Sequence, residues 1–324
     1  MSKRVAGPWS LMLWLAVGFV GLLWAGDDPA PNAARAGTLP EAAAVLDLRT
    51  LPLPEGAQVV SRAVGQLSAN LGNGGLEAAA EFFRDRLKSA GWTLAEESLD
   101  KERHYASAEW TKAGYLLRMN VFKEPQEGKL MVYASNHGNV DARSLPRPEG
   151  AELKQNVFYA TIYRTTLEPD AAADFIRAEM KKQGWREVTG PGGKPDKHHI
   201  RHVQGAVEAM AMIQTRTGQT EVMYGVRVVK NEMLVHGEVT SPIEYMDEPP
   251  RLVYVTRSEA EELFEFYKKE LAARGWKLRP ESDKQVGGAA QLLFDIEDGE
   301  PLRVEMKRTG EVTWVSIGRY RPRR

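Results

Sequence analysis

The chain of 324 residues contains no cysteine. That excludes disulfides, thiolate metal sites, a cysteine nucleophile and a lipid-modified cysteine anchor. It also lacks an excess of either charge: 43 Lys and Arg stand against 44 Asp and Glu, for a net charge of −1. A nucleic-acid module normally carries a basic face, so no nucleic-acid partner is expected. No Gly-x-Ser-x-Gly motif occurs. The stretch Gly190–Lys194 has glycines and a lysine but lacks the spacing of a phosphate loop and the Ser or Thr after its lysine. What is present, 43% hydrophobic residues, is enough for a sizeable core. Length alone would give roughly two domains.

The N-terminus stands apart. Lys3 and Arg4 precede an uncharged run from Val5 to Gly26. As a helix this run is about 33 Å long, enough for a hydrocarbon core of about 30 Å. Trp9 and Trp24 would sit at the two interfaces. Residues 1–26 are therefore read as a transmembrane anchor or a signal peptide. The positive-inside rule places the rest of the chain outside the cytoplasm, membrane-anchored through 5–26, or periplasmic or secreted after cleavage. Residues 27–44, with Pro29, Pro31 and Pro40 among many alanines, read as a flexible linker.

Three stretches resemble one another: Leu76–Trp92, Pro169–Trp185 and Ala260–Trp276, offset by 93 and then 91 residues. Each carries apolar residues at helical spacing and closes on Gly-Trp, at 91–92, 184–185 and 275–276. The glycine fits the left-handed position just past a helix. The tryptophan then packs on Leu87, Met180 or Leu271. Downstream of each helix the apolar period changes to two, as in hairpins, and upstream lies at least one strand. The fold expected is α+β: three tandem β-α-β-β-β modules after an N-terminal hydrophobic helix, each module one helix on a small antiparallel sheet. The boundaries expected are 45–143, 144–236 and 237–324.

The helix ending in Gly275-Trp276, preceded by Phe266-Tyr267-Lys268-Lys269-Glu270-Leu271, resembles small modules of uncharacterised bacterial exported and membrane-anchored proteins. The entry Leu-Pro-x-Pro-Glu-Gly-Ala at 51–57 and 145–151 belongs to the same pattern. The order of elements is similar to helix-grip modules of envelope-assembly proteins. The resemblance covers about 45–320 and implies a fold, with no catalytic residues to carry over.

The one constellation with chemistry is His198-His199-Ile200-Arg201-His202. On a helix or on a strand His198 and His202 share a face, a pair able to hold a transition metal. No acid stands inside the cluster to serve as a general base. The alternative is a solvated loop and strand end. Met210, Met212 and Met223 are read as core filling, and Arg319, Arg321, Arg323 and Arg324 as a basic tail. The function expected is non-enzymatic binding or scaffolding, with a protein partner in the envelope and no cofactor. The alternatives are a small-ligand-binding protein with a cavity beside Ala79 and Ala80, and a metal-dependent enzyme built on His198 and His202.

Overall fold

The computed structural model describes residues 35–124, 128–189, 196–229, 235–237, 239–240, 243–247, 250–273, 275–282, 284–286, 289–295 and 301–319. The N-terminal segment 1–26 lies outside the described residues, as do Gly190–Lys194 and the end of the basic tail. Among the described residues no helix is long and apolar enough to cross a membrane. The expected N-terminal spanning helix falls on residues outside the described structure, and no described helix takes that role.

The chain is mostly β. Four α-helices are described: α1 (Leu39–Val45), α2 (Leu76–Ser89), α3 (Pro169–Lys182) and α4 (Ala260–Ala273). The strands before α2 are β1 (Gln58–Ala63) and β2 (Gln66–Gly72). Those after it are β3 (Thr93–Asp100), β4 (Tyr105–Lys112), β5 (Tyr115–Lys123) and β6 (Leu130–Gly138). Around α3 lie β7 (Glu152–Val157), β8 (Ala160–Thr165), β9 (Arg186–Thr189), β10 (His199–Gln204), β11 (Val207–Arg216) and β12 (Gln219–Val228). The last third holds β13 (Ile243–Asp247), β14 (Pro250–Thr256), β15 (Lys277–Leu278), β16 (Lys284–Val286), β17 (Ala289–Asp295), β18 (Leu302–Thr309) and β19 (Val312–Arg319).

These strands form two sheets. The first has six strands in the order β1-β2-β6-β5-β4-β3. The second runs β15-β17-β18-β19-β14-β13-β9-β10-β11-β12-β8-β7, with β16 pairing β17 off that path. The expectation of three separate β-α-β-β-β modules is thus overturned in two respects. Each of α2, α3 and α4 is flanked by two strands before and at least four after. The last two thirds of the chain share one continuous sheet, joined where β13 pairs β9 in parallel through Ile243–Val188 and Glu244–Thr189. Parallel pairing puts the two helices on opposite faces of that sheet. Val188 and Val203 belong to the core under α4. Ile200 and Ala209 belong to the core under α3.

Local chemistry explains the elements. In α2 the buried residues Leu76, Ala79, Phe83 and Leu87 recur at helical spacing. The helix ends follow the sequence expectation: Gly91, Gly184 and Gly275 have φ of 79°, 81° and 78°. The amides of Trp92, Trp185 and Trp276 donate back to the carbonyls of Leu87, Met180 and Leu271 at 3.0, 3.0 and 3.2 Å. Two hairpins turn on paired left-handed residues, Ala113-Gly114 and Thr217-Gly218. That is the twist-matched two-residue turn.

The two sheets meet where β6 lies against β12. Glycines make the approach close. A Cβ on Gly65 would fall 2.5 Å from the Val228 carbonyl oxygen, and one on Gly138 would fall 2.7 Å from Val207 Cγ2. Residues 35–48, part of them expected to be a free linker, are docked along this junction. Ala36, Ala42 and Leu48 are buried. Thr38 and Glu41 form a capping box that starts α1.

Candidate functional site

A cleft of ≈ 1480 Å³ opens beside this junction. One wall is the segment Arg35–Thr38 with Glu41, Ala44 and Val45 of α1. Adjoining it are the residues just after α3, Gln183 to Arg186, together with Val203 and Gln204 at the end of β10 and Gly205 after them. Tyr115, Asn139, Leu145, Val235 and Ile243 complete it. Sites of this kind favour places where separate parts of a fold meet. The lining is mixed: Val45, Val235 and the edges of the nearly buried Trp185, Val203 and Ile243 stand beside the polar Arg35, Asn139, Arg186 and Gln204. Trp185 is positioned by the Gly184 helix ending, so the residue read as a cap also faces the cleft.

The wall at 35–37 is fastened by its backbone. The side-chain amide of Asn139 accepts from the Gly37 N–H at 3.0 Å and donates to the Arg35 carbonyl at 3.1 Å. Gln204 accepts from the Ala36 N–H at 3.1 Å and donates to the Gln183 carbonyl at 2.9 Å. The Ala206 N–H donates to the Gly37 carbonyl at 2.7 Å. Glu41 accepts from the Thr38 N–H at 2.6 Å, and this bond, with the one from the Thr38 hydroxyl, holds its carboxyl below the usual range.

A smaller pocket of ≈ 460 Å³ lies at the start of α2, lined by Gly74, Gly75, Lys101, His104 and Lys123. Lys101 there is already 3.1 Å from Glu77. Neither of the two described pockets is lined by Ala79 or Ala80, where a ligand cavity was expected. Ala79 is buried in the core and Ala80 packs against it. Small residues there allow close packing of helix on sheet.

The histidine pair does not converge. His198 precedes β10, is about half exposed and lies 3.7 Å from Asp170. His202 is 2% exposed within β10. Four residues along a strand span about 13 Å, whereas ligands of one zinc ion sit roughly 2 Å from it. Among the described residues no group of three or more His, Asp and Glu side chains could hold a metal. The methionines also depart from expectation. Met210, Met212 and Met223 lie on the face turned away from α3, Met212 opposite Met223, and Met210 is 36% exposed. On the surface, Arg84 of α2 reaches across to Glu97 of β3, and Arg177 of α3 to Glu187 of β9 at 3.0 Å.

Sequence reasoning missed the polar cluster at the junction of the sheets. His137, buried, gives its Nδ1–H to the Val226 carbonyl at 2.6 Å, and its ring lies 5.0 Å from that of Tyr159. Arg118 stacks 4.5 Å from the centre of the Tyr159 ring and lies 3.9 Å from Glu109. Burial pushes Tyr159 up to about 12, and burial outweighs Arg118 in raising Glu109. Burial brings His137 and His202 each down to about 4. These side chains come from β4, β5, β6 and the β7–β8 turn, and no sequence spacing announces that meeting.

Both histidines are neutral in the folded chain and take up a proton on unfolding below about pH 6.5. Their folded values are depressed, so their contribution is intact above pH 6.5. It is lost as pH falls from 6.5 towards 4. Urea midpoints are expected to fall steadily over that window. His137→Asn should flatten the fall by the share of one proton.

No family model, curated protein or solved structure matches this chain.

Proposed function

We propose that the protein is a non-enzymatic binding protein of the exported compartment, and that it holds its ligand in the cleft between α1 and the end of α3. The observation that carries this reading is the cleft itself, ≈ 1480 Å³ with a mixed apolar and polar lining. The buried groups with strongly displaced titration support binding over catalysis. His137, His202, Tyr159, Tyr163, Tyr224 and Tyr267 are not among the residues lining it, and burial is the main cause for each. The uncharged run at 5–26 supports export. The metal-enzyme alternative finds no support in the separation of His198 from His202.

The test is native mass spectrometry of the chain purified without a histidine tag. An organic mass increment is expected. It should vanish in Ala44→Trp, which fills the mouth of the cleft from an exposed position on α1. A mass that stays bare when small organic molecules and peptides are added, under conditions that keep the fold, overturns the reading.

A further inference from the structure

The way Arg35–Thr38 is held is itself a description of a ligand. Every bond to Arg35, Ala36 and Gly37 made by Asn139, Gln204 and Ala206 goes to main chain: the N–H of Ala36 and Gly37, and the carbonyls of Arg35 and Gly37. One side-chain amide, Asn139, takes both a donor and an acceptor from the same stretch, as a neighbouring strand would. The side chains are selected by size instead. Ala36 is 6% exposed against the core under α3. A Cβ on Gly37 would fall 2.3 Å from Tyr115 Oη. From the other side, Gly205 has φ 55°, and a Cβ on it would fall 2.4 Å from the Gly37 carbonyl oxygen. The groove therefore reads an extended backbone and requires a small residue followed by glycine.

The space beyond this segment points the same way. At ≈ 1480 Å³ the cleft exceeds the roughly 300–1,000 Å³ of sites for small molecules. Main-chain hydrogen bonds for affinity and small pockets for selectivity are how proteins take up extended peptides.

We propose that the cleft, together with the slot along its edge formed by Asn139, Gln204 and Ala206, is a peptide-binding groove, that the chain's own Arg35–Thr38 fills the slot as its resident occupant, and that its ligand is an extended peptide with a small residue followed by glycine. The proposal rests on the reading of the cleft as the binding site and names the class of ligand. A peptide entering in trans must displace the resident segment. Its apparent affinity is then reduced by the fraction of molecules in which the groove is free.

The test uses the full chain and a fluorescent acetylated peptide with the sequence of residues 33–40. In Gly37→Ala the added methyl is expected to dislodge the resident segment, and hydrogen exchange should report the freed amides of 36–38. The dislodged chain should bind the peptide at least about tenfold more tightly than the unaltered chain, because the competing occupant is gone. A peptide carrying the same Gly37→Ala change should not bind. Adding Asn139→Ala to the Gly37→Ala chain should abolish binding. Ala36→Asp releases the same segment without touching the groove walls, and serves if Gly37→Ala does not fold. Absence of peptide binding to a chain whose segment is free overturns the proposal. Unchanged exchange in Gly37→Ala overturns it too, since the glycine requirement then fails. A non-peptide organic increment in the native spectra, without peptide binding, overturns the peptide while leaving the cleft as a binding site. A bare mass together with no peptide binding overturns both.

Discussion

Glu208→Ala is expected to cost about 3–5 kcal/mol in urea unfolding, because it strips the partner from two arginines held together at one buried point. Glu208 sits on β11, 2% exposed, with Arg201 at 2.5 Å and Arg227 at 2.6 Å. Burial by itself would raise its carboxyl. The guanidiniums of Arg227 and Arg201, with their hydrogen bonds, outweigh burial and hold it below the usual range. The carboxylate is thus the piece that makes this charge arrangement tolerable. Arg201 also donates to the Tyr245 carbonyl of β13 at 3.2 Å, so the network spans the parallel joint between the two halves of the large sheet. Glu208→Gln keeps the shape and one acceptor and should cost less than Glu208→Ala. Equal losses for the two would show that charge contributes nothing and that packing alone is responsible.

Gly65→Val is expected to cost about 3 kcal/mol, the upper part of the range for overpacking. A Cβ on Gly65 meets the Val228 carbonyl oxygen at 2.5 Å and Val228 Cβ at 2.9 Å. The first contact is backbone, and backbone held in a strand ladder cannot swing aside as a side-chain tip can. The Asn136 N–H also donates to the Gly65 carbonyl at 2.9 Å, so a shift of Gly65 loosens β6. Relief requires the two sheets to part. Hydrogen exchange should show the loss concentrated at Asn136 and along β12. A Gly65→Val chain as stable as the parent would mean that the sheets do not rely on this contact.

The three 14-residue helices were legible because their signals are local. Apolar spacing, a glycine in the left-handed region and a following tryptophan lie within one stretch of chain, and hydrogen bonds between near neighbours act on them. The inner hairpins were legible for the same reason. Three other strands were not. β3 reads Thr-Leu-Ala-Glu-Glu-Ser-Leu-Asp and is mostly exposed, so no alternation of apolar and polar residues marks it. β9 spans only four residues and β13 five, too short for any period to show.

Of the candidate site, the sequence indicated Trp185 but gave it only a capping role. The histidine spacing was compatible with a shared metal on either a helix or a strand. The fold decided otherwise by burying His202 beneath α3 and leaving His198 outside. Asn139, Gln204 and the segment 35–38 carry no motif, being ordinary residues brought together across more than a hundred positions.

By itself, then, the sequence determined where the helices begin and end, where the tight turns fall, and which residues alternate into a core. Those follow from steric and hydrogen-bonding preferences acting within a few residues. Only the tertiary structure decided that β13 joins β9, that α3 and α4 take opposite faces of one sheet, and that Arg35–Thr38 lies in a groove. Each of these depends on contacts between distant segments that must offset the entropy of closing long loops. No short window of sequence carries both sides of such a contact.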